Sequence, residues 1–106
     1  MWNATVLSLF PEMFPGTLEF SIAGKALRKK LWSLKTVNIR QFSNDKNGKV
    51  DEVPFGGGPG MVINPEVLDK ALKSVSKAVG RRIYLSPRGK KFDQAFAKKL
   101  SQEKGA

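Results

Sequence analysis

The fold class this sequence predicts is α/β, with a mainly parallel sheet and helices on both faces. Three observations predict it. Apolar runs of strand length alternate with stretches of helical spacing, glycine and proline mark the joins, and the apolar residues are numerous enough for one packed core. The 106 residues read as a single domain, 1–106.

The first strand is predicted over residues 2–10, where Val6, Leu7, Leu9 and Phe10 form a nearly continuous apolar run. Such runs belong to parallel strands covered on both faces. Pro11 ends it, because proline has no N–H for the ladder. A helix follows over about 21–32, with Ile22, Ala26, Leu27 and Leu31 on one side and Lys25, Lys29 and Lys30 elsewhere. Alternation over 34–40 predicts a second strand. From about 43 to 60 turn formers prevail, including Asn47-Gly48 and Gly56-Gly57-Gly58-Pro59-Gly60. A loop of that length is functional or mobile, and mobility is expected there.

Asn64-Pro65-Glu66 has the composition of a helix start: N-cap, proline at the first position, acid in the first turn. Val67, Leu68, Ala71, Leu72, Val75 and Val79 recur at helical spacing, and Gly80 is expected to close the helix. Arg81–Leu85 is expected as a third strand, residues 86–89 as a turn, and 93–103 as a last helix with Phe92, Phe96, Ala97 and Leu100 inside. A three-stranded parallel sheet is small, and the next element expected after that helix is a further strand.

Nineteen Lys and Arg face nine Asp and Glu, a net charge of +10, so polyanions and nucleic acid above all are the first partners to consider. The cations cluster at 25–30, 81–82, 88–91 and 98–104. Any one cluster is equally well a solvated helix face; four with little acidic compensation point to phosphate. Neither Cys nor His occurs, which excludes disulfides, thiolate nucleophiles, imidazole acid–base chemistry and the usual zinc sites. No metal is expected. No run reaches the ~18 apolar residues of a membrane span, and the start lacks the features of a signal peptide, so a cytoplasmic protein is expected.

Two segments carry candidate chemistry. Glycines in Val53–Met61 let a ligand approach backbone N–H groups, although the spacing fits neither a Walker loop nor a dinucleotide fingerprint. Taken alone this is better read as a connector, stiffened by Pro54 and Pro59. Tyr84-Leu85-Ser86-Pro87-Arg88-Gly89 lies where a parallel strand would end, the usual ligand edge of an open sheet, but alone it reads as an ordinary turn. Asp51 and Glu52 point to opposite sides of an extended segment, so Asp51 as a single acceptor or loop anchor is preferred to an acid–base pair. Phe10, Phe14, Phe20, Phe42 and Phe92 are expected in the core rather than as base-stacking platforms.

Three segments in register resemble the bacterial tRNA (guanine-N1)-methyltransferases, of the trefoil-knot (SPOUT) class. They are Leu9-Phe10-Pro11-Glu12-Met13-Phe14, the run from Val50 to Met61, and the run from Tyr84 to Gln94. The resemblance covers essentially the whole chain and implies the amino-terminal part of the methyltransferase domain. It implies transfer of a methyl group from S-adenosylmethionine to N1 of the guanosine 3′ of the anticodon, by a homodimer acting on the anticodon stem-loop of tRNA. Tyr84, Leu85, Ser86 and Pro87 would form one wall of the cofactor pocket, with Gly58, Pro59 and Gly60 lining the cleft. Asp51, Gly57 and Arg88 would contact substrate.

Family members are more than twice this length. Their knot, general base and assisting arginine follow the last residue here, as does the carboxy-terminal tRNA-binding domain. No catalytic residue is therefore assigned within 1–106, and the chain alone is expected to be inactive. The rival reading is a non-catalytic basic RNA-binding module.

Overall fold

The computed structural model describes residues 1–52 and 62–106. In chain order they form β1 (Trp2–Ser8), α1 (Ser21–Arg28), β2 (Trp32–Asn38), β3 (Asp51–Glu52), β4 (Val62–Ile63), α2 (Pro65–Ser74) and α3 (Gln94–Ser101). Single 3-10 turns occur at Pro11–Met13, Gly16–Glu19 and Ile39–Phe42. The class is α/β: β1 and β2 pair in a parallel sheet with α1 between them in sequence. β3 and β4 form a short antiparallel ladder, Asp51 opposite Ile63 and Glu52 opposite Val62. Contacts group the chain into two units, Met1–Thr5 with Phe14–Lys35 and Lys77–Ala106, and Val6–Met13 with Thr36–Ser76.

In the first unit, both indole N–H groups donate to helix carbonyls: Trp2 Nε1 to Leu100 at 3.1 Å and Trp32 Nε1 to Ala23 at 3.0 Å. Each indole thus joins a strand to a helix through a polar tip on an apolar body. α1 stops at Arg28, short of the predicted 32. Leu31 N–H bonds Ala26 O and Lys30 N–H bonds Leu27 O, the pair of bonds that defines a Schellman ending. Lys30 takes the left-handed position, φ 60°, usually given to glycine. α3 is capped by the Asp93 carboxylate, which accepts from Phe96 N at 2.8 Å.

The second unit holds the buried residues of the core. Among the described residues, Ile39, Val50, Val67 and Ala71 are buried, with Leu7, Leu9, Phe42 and Leu68 packed against them. The Asn64 side chain caps α2, accepting from Glu66 N and Val67 N. This helix ends at Ser74 rather than running to Gly80. The Ser74 hydroxyl donates back to Ala71 O, and the last turn tightens to three-residue hydrogen bonds.

Three expectations are corrected. Residues 81–85 form no strand. A strand needs a ladder partner, and the available edge of β1 is taken by the chain end: Asn3 N bonds Lys104 O, Thr5 N bonds Ala106 O, and Ala106 N returns to Asn3 O. Second, β1 is half-buried along its length, because a two-stranded sheet offers too few neighbours to seal both faces. Third, Phe10, Phe14, Phe20 and Phe92 are exposed, and only Phe42 of the five packs on the core. So small an interior has no room for all the rings.

Candidate functional site

The segment Tyr84–Gly89 belongs to the first unit. Its turn is closed by Gly89 N to Ser86 O at 3.1 Å and by Arg88 N to the Ser86 hydroxyl at 3.2 Å. Ser86 is therefore committed to shaping the turn, and Arg88 projects from it into solvent. Tyr84 and Leu85 are each 87% exposed. Two large side chains are thus left in water, each open to an apolar ligand or to another protein segment.

The chain is anchored three residues before Tyr84. Arg81 grips Glu103 through both carboxylate oxygens, Nε lying 3.0 and 3.1 Å from them, and its guanidinium stacks 5.5 Å from the centre of the Phe96 ring. Phe96 in turn meets Phe92 edge-on, ring centres 5.6 Å apart. Sequence reasoning counted Arg81 only as part of a basic cluster. Its partner Glu103 lies 22 residues away, so nothing local announces the pair.

Asp51 belongs to the second unit, where it starts β3 and borders a cleft of about 280 Å³. Ser43, Asn44, Asp45, Lys49 and Lys70 also line it. The approach to Asp51 is a tightly bonded loop. The Asp45 carboxylate accepts from Asn47 N at 2.9 Å and Lys49 N at 3.2 Å, and the Ser43 hydroxyl accepts from Asp45 N while donating to Lys49 O. These side-chain-to-backbone bonds are what Asn-Asp-Lys-Asn-Gly allows, but Ser43, Asp45 and Lys70 were not anticipated as part of a site. Gly57, Gly58, Pro59 and Gly60 lie outside the described residues.

Two ion pairs occur among the described residues, Lys73–Asp69 and Arg81–Glu103. Lys25, Arg28, Lys29 and Lys30 at the end of α1 face solvent, as do Lys98, Lys99 and Lys104 around the end of α3. Cations so placed are available to phosphate. Among the described residues no group of His, Cys, Asp or Glu is arranged to hold a metal ion, and no helix is long and apolar enough to cross a membrane.

Comparison with known proteins decides what this arrangement belongs to. The family model described as tRNA (Guanine-1)-methyltransferase TrmD matches residues 2–105. The chain belongs to that family.

A tRNA (guanine-N(1)-)-methyltransferase of Wolbachia pipientis is 52% identical over 103 residues, covering 95% of this chain and 44% of the relative. One from Rhodospirillum rubrum is 52% identical over 100 residues, covering 94% and 42%. The crystal structure of tRNA (m1G37) methyltransferase from Aquifex aeolicus superimposes with a TM-score of 0.81 at 31% identity, covering 98% of this chain and 48% of that one. The chain thus spans a little under half the length of these TrmD-family proteins and corresponds to their amino-terminal part.

Proposed function

We propose that this chain supplies the amino-terminal part of a tRNA (guanine-N1)-methyltransferase that methylates N1 of the guanosine 3′ of the anticodon. The family match over residues 2–105 carries this reading. The donor is S-adenosylmethionine, whose sulfonium supplies an electrophilic methyl group. When bound, it would supply the methyl group that guanine N1 accepts, leaving as the neutral thioether, while the N1 proton would go to a base outside these residues.

The residues present fit one face of such a donor. Tyr84 and Leu85 offer an apolar surface for a heterocycle, and the Ser86-Pro87 turn gives that wall a defined end. Gly58, Pro59 and Gly60 are proposed to line the cleft, and Asp51, Gly57 and Arg88 to contact RNA. One wall neither encloses a donor nor aligns nucleophile with methyl, and alignment supplies much of the rate of such a transfer. The 106 residues alone are accordingly proposed to be inactive, the whole protein being a cytoplasmic homodimer.

A second reading, a basic module that binds RNA without catalysis, is favoured by the solvent-facing cations of α1 and α3. Both readings predict tRNA binding with a steep log–log salt dependence, since each neutralised phosphate releases counterions. Methylation assays separate them. The enzyme reading expects methyl transfer to a tRNA transcript when the chain is joined to the carboxy-terminal part of a TrmD-family relative, and none from the chain alone. Turnover by the isolated chain would overturn the one-wall account; a joined protein that binds tRNA without turnover would favour the binding module.

A further inference from the structure

We propose that Arg40 is a positioning residue for Asp51, clamping the loop that delivers this carboxylate to RNA; the proposal rests on the reading of Asp51 as an RNA contact. Arg40 sits in the 3-10 turn after β2, where its own N–H is held by Asn38 Oδ1 at 3.0 Å. From there its guanidinium reaches two other segments, the nearby loop and the end of the first strand region. Nη1 donates to Gly48 O at 3.3 Å, and the group lies 5.6 Å from the centre of the Phe10 ring, within cation–π range.

The stem of Arg40 also packs on Gly48, since a Cβ placed there would meet Arg40 Cβ at 3.5 Å. Gly48 has φ +70°, a conformation that suits glycine, and its carbonyl accepts the bond from the Arg40 side chain. Two residues on, Val50 is 1% exposed and accepts a bond from Asn64 N, and Asp51 follows directly. Asp51 therefore leaves a loop pinned on one side by Arg40 and on the other by the core. The guanidinium is a planar, multi-donor group, suited to holding a carbonyl and a ring face at once.

The test uses an unmodified tRNA transcript with guanosine 3′ of the anticodon, and the variants Arg40→Ala, Arg40→Lys, Gly48→Ala and Asp51→Asn. Arg40→Ala is expected to weaken binding about fivefold while leaving the log–log salt slope unchanged, and to add nothing once Asp51→Asn is present. Arg40→Lys keeps one donor and the cation over Phe10, and should restore affinity to within about twofold of the parent. A salt slope reduced by about one marks a direct phosphate contact and overturns the proposal, as do additive effects of the two substitutions.

Hydrogen exchange judges the clamp separately. Gly48 and Lys49 amides should exchange about tenfold faster in Arg40→Ala while Leu68 in α2 keeps its protection. Unchanged exchange at both overturns the clamp. If the parent chain does not bind the transcript, the RNA reading has failed and exchange alone decides the clamp. Should Arg40→Ala not fold, Gly48→Ala carries the comparison: it strains the φ +70° position and should weaken binding and speed Lys49 exchange as Arg40→Ala would, and parent-like values for both overturn the clamp.

Discussion

Gly80 lies directly against Gly105: a Cβ built on Gly80 would fall 1.8 Å from the Gly105 carbonyl oxygen, and Gly80 itself has φ +99°. Gly105 also faces Asn3, with which it forms a parallel bridge. Three backbones are thus stacked where no side chain fits. Gly80→Ala combines a backbone clash with a strained dihedral and should cost about 2 kcal/mol or more. Urea unfolding at constant slope measures it; a loss under about 0.5 kcal/mol would mean that this contact is not made.

Lys30 gives the opposite sign. It holds the left-handed position of a Schellman ending with a side chain that position disfavours. Lys30→Gly should therefore stabilise the protein, by up to about 1 kcal/mol once glycine's extra unfolded-state entropy is subtracted. A raised thermal midpoint checks this, and a drop would show that the Lys30 stem contributes packing that the ending requires.

Asn64 accepts from the first free N–H groups of α2, at 2.9 Å from Glu66 and 3.4 Å from Val67. Asn64→Ala should cost about 1 kcal/mol, whereas Asn64→Asp retains an acceptor and should cost little. The two variants compared by chemical denaturation separate capping from any other role of the side chain.

Lys73 titrates above its ordinary 10.5, first because of its hydrogen bond to Asp69 one turn back and then because of that carboxylate's charge. A folded-state value raised above the unfolded one adds stability that is fully present below pH 10.5 and fades as pH climbs through the raised value. Asp69→Asn should return Lys73 to its ordinary range, as read from the pH dependence of the Lys73 side-chain NMR signals. The pair is exposed, so the effect on stability is small.

How legible the fold was depends on the range of the forces involved. The α2 start was readable because Asn64, Pro65 and Glu66 act within one turn. The end of α1 was not, because a lysine fills a place that sequence patterns reserve for glycine. The strand expected at Arg81–Leu85 had the right composition, but pairing is settled by competition for β1, and residues 104–106 occupy that edge. At the candidate site, the Tyr84–Gly89 motif was visible at once, whereas Arg81–Glu103 and Arg40–Phe10 join residues whose relation no local window contains.

The sequence by itself determined the α/β class, the cationic surface, the lack of thiol and imidazole chemistry, and the motifs of the methyltransferase family. Each follows from residue identity or from spacing over a few positions. Only the tertiary structure decided which edges pair, which rings stay in water and which arginines become anchors. Those outcomes depend on groups far apart in the chain competing for the same neighbours, a contest that composition and periodicity do not record.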